Sequence, residues 1–268
     1  MLTTLSVTLL GIIIFAAILF VVIQYSVFHP PVEGLPILLY HKVSLENNDP
    51  LTVSIPRLEK QFAYLSEKGY TCIALRQIVE NKDFKLPKRN FALTFDDAYL
   101  DNLQHLYPLL KKYGFHATIM LPVGFLGKTN IWDHGNEPIM SFEQLRSMDS
   151  RYVSFGLHTY SHTPLYPLSH ENIEADINKC RQELNSNGID FLPVLAYPYG
   201  TYPKNKIENK AFGKLLKKLG IVYGMRIGSR INTWPFENNY IVKRVPIYGE
   251  ESFWAFKTKL KKGYLKRF

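Results

Sequence analysis

Residues 91–98 read Phe-Ala-Leu-Thr-Phe-Asp-Asp-Ala, and this stretch decides the fold of the 268-residue chain. Its first five residues form an apolar run typical of a strand that is buried on both faces. The run ends in two adjacent carboxylates, Asp96 and Asp97, which would lie at the mouth of a parallel sheet. Adjacent carboxylates repel each other unless a cation neutralises one or the two hold different protonation roles. A solvated acidic turn is the alternative.

The same kind of apolar run recurs on both sides of this stretch and alternates with amphipathic segments. Predicted strands cover 37–40, 71–74, 91–95, 117–121, 153–157, 194–197, 221–223 and 241–245. Predicted helices cover 57–68, 99–113, 142–148, 170–187, 204–219 and 252–265. This βα alternation favours a parallel sheet closed into a barrel, complete or irregular, with functional groups on the loops that follow the strands.

A second run, residues 153–157, ends at His158, and His162 follows four residues later. That separation brings two imidazoles together on one helical turn or in a compact loop. Two neutral imidazoles and one carboxylate form a facial set that leaves metal positions open for water and substrate. Two hydrogen-bonded histidines without a metal are the alternative, but two separate strand ends that supply matching halves of one site favour the metal.

A third polar segment, Leu195-Ala-Tyr-Pro-Tyr-Gly-Thr-Tyr202, follows another apolar run. Pro198 and Gly200 would fix a turn whose backbone amides point into the mouth of the barrel. The tyrosines Tyr197, Tyr199 and Tyr202 would offer aromatic walls. A rigid turn with packed tyrosines is the alternative.

In this order, residues 94–97 (Thr-Phe-Asp-Asp), 158–162 (His-Thr-Tyr-Ser-His) and 197–200 (Tyr-Pro-Tyr-Gly) resemble three motifs of the polysaccharide deacetylases. This family is the NodB-homology domain of carbohydrate esterase family four. Residues 37–43 and 244–247 resemble the subgroup that N-deacetylates poly-β-1,6-N-acetylglucosamine in bacterial biofilms. The resemblance implies an irregular (β/α) barrel of the polysaccharide deacetylase type.

The resemblance also implies roles for the charged residues. Asp97, His158 and His162 would hold a divalent metal, commonly zinc, with cobalt, nickel and manganese as alternatives. Asp96 would be the general base. This agrees with the chemistry, because such a metal polarises an acetamide carbonyl and lowers the pKa of bound water, whose proton a nearby carboxylate can accept.

The third motif would bind the substrate through Tyr197, Pro198, Tyr199 and Gly200. The backbone N–H of Tyr199 would help to stabilise the tetrahedral oxyanion, a contribution whose loss costs roughly 3 kcal/mol in such sites.

Three departures from the family pattern matter. Ala98 stands where the first motif usually ends in Gly, which limits that turn to a negative φ if Ala is unstrained. Ala196 stands where the third motif often has Arg. The usual Leu-x-His motif is missing, since no histidine follows His170. His41, after the first strand, is the candidate general acid; a structural hydrogen bond is its alternative role, and slow turnover is expected.

The segment 124–140 has the length of an active-site loop, and a surface excursion is its alternative. Trp132, Trp234 and Trp254 could stack on the apolar faces of sugar rings, or could pack in the core.

The N-terminal segment, residues 5–28, has no charged side chain. As a helix at ~1.5 Å per residue it would be about 36 Å long, enough to cross a hydrocarbon core of ~30 Å. We predict a single-pass transmembrane anchor there, a spacer over 29–36 and a catalytic domain over 37–268, with the NodB-homology core at about 88–268. A cleaved signal peptide or a core helix are the alternatives. The anchor implies a cell-membrane location with the catalytic domain extracytoplasmic.

Composition narrows the function classes. With 46% hydrophobic and 21% charged residues the chain is globular rather than disordered, and its net charge of +9 favours an anionic environment. The sequence has neither a phosphate-binding glycine loop nor a basic recognition helix, so it does not indicate nucleic-acid binding. The sequence predicts a metal-dependent N-deacetylase of an N-acetylglucosamine polymer, most consistent with the β-1,6-linked one, with a polymer synthase or export machinery as partner. Peptidoglycan or chitooligosaccharide substrates, or a catalytically weak glycan-binding protein, are the alternatives.

Overall fold

The computed structural model of the protein describes residues 8–17, 33–45, 49–81 and 83–264. The segment before residue 33 and the segment from residue 33 onward are separate units. Part of the predicted spacer, residues 29–32, lies outside the described residues.

The N-terminal apolar segment forms a helix, α1, over residues 8–17. Among the residues that the structure describes, no helix combines the length and the apolar character needed to cross a membrane. This finding contradicts the predicted single-pass anchor and the cell-membrane location that followed from it. Residues 5–7 and 18–28 of the predicted anchor lie outside the described residues.

From residue 37 onward, parallel strands close into a barrel. The strands are β1 (Ile37–Tyr40), β2 (Lys42–Ser44), β3 (Thr52–Ser54), β4 (Thr71–Cys72), β5 (Asn90–Asp96), β6 (Ala117–Leu121), β7 (Val153–Leu157), β8 (Val194–Ala196), β9 (Tyr223–Ile227) and β10 (Val242–Pro246). Around the barrel the order is β1, β10, β9, β8, β7, β6 and β5, and the pairing of β5 with β1 closes the ring. Strand β4 pairs with the first two residues of β5, and β2 pairs with β3 in a separate small sheet. The predicted parallel barrel is confirmed.

Helices connect the strands. They are α2 (Ile55–Glu67), α3 (Leu75–Glu80), a π-helix (Asn102–Leu106) that continues into α4 (Tyr107–Tyr113), α5 (Phe142–Arg146), α6 (His170–Ser186), α7 (Lys206–Lys218) and α8 (Phe253–Lys262). Helix α6 shows why they form: the Ser169 hydroxyl caps its N-terminus by accepting from the Asn172 N–H. Its apolar side chains recur every three or four residues and are buried against the barrel: Ile173, Ile177, Cys180 and Leu184.

The barrel strands are buried along nearly their whole length, as the continuous apolar runs predict. Because the ring strands are parallel, their carboxyl ends lie at one rim. Asp96 is the last residue of β5, and His158 follows β7 directly. The β1–β5 register pairs Tyr40 with Phe95, so His41 and Asp96 are the next residues on adjacent strands. The rim therefore gathers polar groups from strands that are far apart in sequence.

Candidate functional site

Asp97 lies against two imidazoles at the rim of the barrel. Its Oδ1 is 3.1 Å from Nε2 of His162 and 3.4 Å from Nε2 of His158. All three residues are at least 95% buried. Neither contact has hydrogen-bond geometry, so Asp97 Oδ1 is a buried oxygen without a hydrogen-bond partner among the described residues. A buried anionic oxygen left in this way is costly unless a cation binds it.

Asp96 has a different partner. The guanidinium of Arg244, on β10, binds it in a bidentate pair, with Nη1 2.5 Å from Oδ1 and Nη2 2.8 Å from Oδ2. Arg244 is completely buried. Burial alone would raise the pKa of Asp96, but the charge of Arg244 and its hydrogen bonds hold that pKa well below its usual range. The carboxylate is therefore ionised at neutral pH.

His158 is held in one tautomer. Its Nδ1 is 2.9 Å from the carbonyl oxygen of Ala196 and must carry the proton, since that oxygen can only accept. The Nε2 lone pair then faces the carboxylates, 3.4 Å from Asp97. Burial lowers the pKa of His158, although Asp96 and Asp97 oppose this shift, so the imidazole is neutral at neutral pH. Neutral imidazole is the form that binds metals.

These residues fit a divalent metal ion. One ligand atom from each of Asp97, His158 and His162 lies within 4.8 Å of the others. Two imidazole nitrogens and one carboxylate suit zinc or a similar transition metal and leave positions open for water and substrate. The Asp97 oxygen without a hydrogen-bond partner among the described residues lies close to both histidines, where a bound cation would neutralise its charge.

The loops of the site hold an unusual backbone. Positive φ values occur at Asp97 (72°), Ala98 (53°), Thr159 (67°), His162 (51°) and Tyr199 (57°). In this left-handed region each non-glycine residue costs roughly 1–2 kcal/mol. The expectation of a negative φ at Ala98 is wrong: the Ala98 carbonyl accepts from the Met140 N–H and the residue is fully buried, so tertiary structure overrides the local preference.

The loop between His158 and His162 is hydrogen-bonded to helix α6. The carboxylate of Asp176 accepts from the N–H of Tyr160 (2.7 Å) and from the N–H (3.0 Å) and the hydroxyl (2.7 Å) of Ser161. These three bonds satisfy donors of the turn, while its Thr159 and Tyr160 carbonyls accept from the Val123 and Gly124 N–H groups. Asp176 thereby fixes the path of the chain between the two histidines.

His41 lies beside both carboxylates. It follows Tyr40, which pairs with Phe95, and a positive charge on its imidazole would lower the pKa of Asp96 and of Asp97. Its backbone carbonyl accepts from Asn102 Nδ2 at 3.0 Å. The side chain predicted as general acid is therefore at the rim with the carboxylates.

The third motif divides between core and surface. Tyr197 is completely buried and its hydroxyl donates to the Tyr240 carbonyl at 2.7 Å. Pro198 is buried too. Only Tyr199 is open, with 52% of its surface exposed and its ring centroid 5.2 Å from that of His162. Gly200 has a φ of 68°, and a Cβ there would lie 3.0 Å from Ile227. The side chains of Tyr197 and Pro198 therefore pack in the core, and the substrate contacts of this motif stay a prediction.

Sequence reasoning assigned no role to two residues that shape this site. Arg244 stands between apolar residues in a buried strand, Val242–Pro246, where an arginine needs a buried partner; an arginine in a predicted strand was the available signal. Asp176 is one of several acidic residues on α6, and nothing in the sequence distinguishes it from the others.

Comparison with known proteins agrees with this geometry. Residues 84–223 match the polysaccharide deacetylase family. A Staphylococcus aureus protein named poly-beta-1,6-N-acetyl-D-glucosamine N-deacetylase is 28% identical over 206 residues, which cover 73% of this chain and 68% of that protein. YxkH of Bacillus subtilis, named as a polysaccharide deacetylase, is 29% identical over 189 residues, which cover 70% of this chain and 63% of that protein.

Among solved structures, that of IcaB from Ammonifex degensii has a TM-score of 0.71 at 21% identity and covers 87% of this chain and 97% of that chain. This likeness concerns the fold. The aligned part of the chain spans less than two thirds of YxkH.

Proposed function

This chain belongs to the polysaccharide deacetylase family, hydrolases of the N-acetyl amide bonds of polysaccharides, and from that premise we propose that it is a metal-dependent N-deacetylase of an N-acetylglucosamine polymer. We assign the activity to residues 37–268 and name poly-β-1,6-N-acetylglucosamine as the substrate. The observation that carries the proposal is that two adjacent buried carboxylates have different surroundings. Asp96 is paired with Arg244, while Asp97 faces two imidazoles with one oxygen unbonded.

In this proposal Asp97, His158 and His162 hold the ion, zinc in the first instance. When bound, a divalent ion supplies polarisation of the acetamide carbonyl and a lowered pKa for bound water. The fixed Nδ1 tautomer of His158 keeps its Nε2 available as a ligand.

Asp96 acts as the general base. Its carboxylate is ionised and cannot rotate freely, because Arg244 holds both oxygens. It lies 3.7 Å from Nε2 of His158, next to the ligand cluster, where it can accept a proton from the attacking water. Arg244 acts through Asp96 and is a positioning residue.

His41 donates the proton that the leaving amine needs, since it follows β1 directly beside Asp96. The Tyr199 backbone N–H stabilises the oxyanion that forms on the acetamide oxygen. The exposed Tyr199 ring lies at the open edge of the site, where it can contact a sugar ring.

One observation supports the β-1,6-linked polymer as substrate. The Staphylococcus aureus relative named as a deacetylase of that polymer aligns over 73% of this chain.

The test is acetate release by the zinc-loaded protein from three polymers: poly-β-1,6-N-acetylglucosamine, a chitooligosaccharide and peptidoglycan. We expect release from the first at the highest kcat/KM, and none from the Asp96→Asn variant. Faster release from either of the others would overturn the substrate assignment. Polymer binding without acetate release from any of the three would overturn the enzyme and favour a glycan-binding protein.

A further inference from the structure

The two candidate histidine ligands are supported in different ways. His158 donates its Nδ1 proton to Ala196. His162 is 5% exposed, and its Nδ1 is buried without a hydrogen-bond partner in the described part of the chain. Metal-binding histidines almost always donate their second nitrogen to a carbonyl, carboxylate or water. The ring of His162 must therefore be held by another kind of contact.

That contact is the indole of Trp132. Its ring centroid lies 4.2 Å from that of His162 with an interplanar angle of 29°, a stacked arrangement. The indole also makes an edge-to-face contact with the Phe125 ring, with the two centroids 4.8 Å apart. The Trp132 Nε1 is buried without a hydrogen-bond partner among the described residues, so ring packing rather than polar bonding holds the indole.

The loop that carries Trp132 is braced on both sides of it. The Glu137 N–H donates to Asn130 Oδ1 at 2.8 Å, and the Asn130 N–H donates to the Glu137 carbonyl at 3.2 Å. Glu137 also pairs with Lys42, the neighbour of His41, at 3.0 Å. The indole is therefore presented to His162 from a closed and tethered loop.

We infer that Trp132 is a positioning residue: its indole holds the plane of the His162 imidazole so that Nε2 faces Asp97 Oδ1, 3.1 Å away. This inference rests on the proposed metal site. Stacking takes the place of the missing Nδ1 hydrogen bond, and the indole face that covers His162 is not open to a sugar ring.

The experiment compares Trp132→Phe, Trp132→Leu and Trp132→Ala with the full-length wild type, and uses Trp254→Ala as a matched control, since Trp254 is 56% exposed on α8. Zinc affinity is measured by competition with a chromogenic chelator. We expect the Leu and Ala variants to bind zinc about 10-fold more weakly or worse, the range for losing support of a metal ligand. The Phe variant, which keeps a flat ring, should stay within about 3-fold of wild type.

Thermal unfolding of the metal-free proteins shows which variants are folded. If Trp132→Ala does not fold, Trp132→Leu, whose larger side chain fills more of the space left by the indole, is used for the comparison. A folded Leu or Ala variant with wild-type zinc affinity would overturn the inference. Normal zinc affinity with a raised KM at saturating zinc would overturn it too, in favour of a sugar platform. If the wild type itself binds no zinc, the proposed function fails, an outcome distinct from both.

Discussion

Two opposing effects set the charge of Asp96. Burial favours the neutral acid, and the buried guanidinium of Arg244 favours the carboxylate. Because the folded-state pKa is depressed, this group stabilises the fold above its unfolded pKa of ~3.9, and the stabilisation is lost as pH falls through the folded pKa. The same carboxylate is the proposed base, so one residue links acid stability to catalysis.

Replacing Arg244 with Gln should therefore raise the pKa of Asp96 and move the acid limb of the kcat/KM profile to higher pH. Arg244→Lys keeps the charge and loses the bidentate geometry, so its acid limb should shift less while kcat still falls. Removing one partner of such a buried pair costs about 3–5 kcal/mol of stability, which urea unfolding measures. Identical acid limbs in Arg244→Gln and wild type would show that Arg244 does not control the charge of Asp96.

His41 permits a sharper test than loss of activity. If its imidazole protonates the leaving amine, His41→Gln should lower acetate release from the polymer by roughly 10²–10⁴. Hydrolysis of 4-nitrophenyl acetate should change little, because its leaving group needs no proton. Equal losses on both substrates would assign His41 a structural role beside the site.

At the level of elements, the chain between His158 and His162 depends on α6. Thr159 and His162 have positive φ values, and Asp176 holds the turn between them by three hydrogen bonds. The hydrogen bonds to Asp176 on α6 thus maintain a backbone conformation that the loop would not adopt alone.

We expect Asp176→Ala to lower the free energy of unfolding by about 2–3 kcal/mol, since it removes charged acceptors from three donors. It should also weaken zinc binding, because His162 is no longer fixed. Glu174→Ala is the matched control on the same helix: its exposed pair with Lys218 contributes about 0–1 kcal/mol. An unchanged zinc affinity in Asp176→Ala would show that the hydrogen bonds of the turn do not support the metal site.

Elements also show where sequence reasoning succeeds and where it fails. The strands at 37–40, 117–121 and 153–157 have the predicted bounds, because each is a mostly apolar run followed by a histidine or a proline. The predicted helix at 99–113 is instead a π-helix followed by α4, with the Asn102 side chain bonded to the His41 carbonyl. That contact between distant segments leaves no mark in local periodicity.

The site shows the same division. The residues at the strand ends, Asp96, Asp97 and His158, could be placed together because parallel strands share a rim. The partner of Asp96 could not, since Arg244 lies 148 positions away along the chain. The buried position of the Tyr197 ring could not be read from the sequence, because a tyrosine in a turn looks the same whether its ring faces core or solvent.

At the scale of the molecule, the net charge of +9 should oppose the product. Deacetylation leaves amines that make the polymer cationic, and like charges repel across a Debye length of ~8 Å at 0.15 M salt. The KM for a half-deacetylated polymer should therefore fall as the salt concentration rises from about 20 mM to about 150 mM. The KM for a fully acetylated polymer should change little over the same range. Parallel salt responses of the two polymers would contradict this expectation.

The central claim is that Asp97, His158 and His162 hold one metal ion beside a separate base, Asp96. Zinc content after chelation and reloading, measured by mass spectrometry on folded protein, tests it most directly. We expect about one zinc per wild-type chain and per Asp96→Asn chain, with acetate release lost only in the latter, and no zinc in His162→Ala or Asp97→Ala. Full zinc retention in the folded His162→Ala and Asp97→Ala proteins would contradict the account.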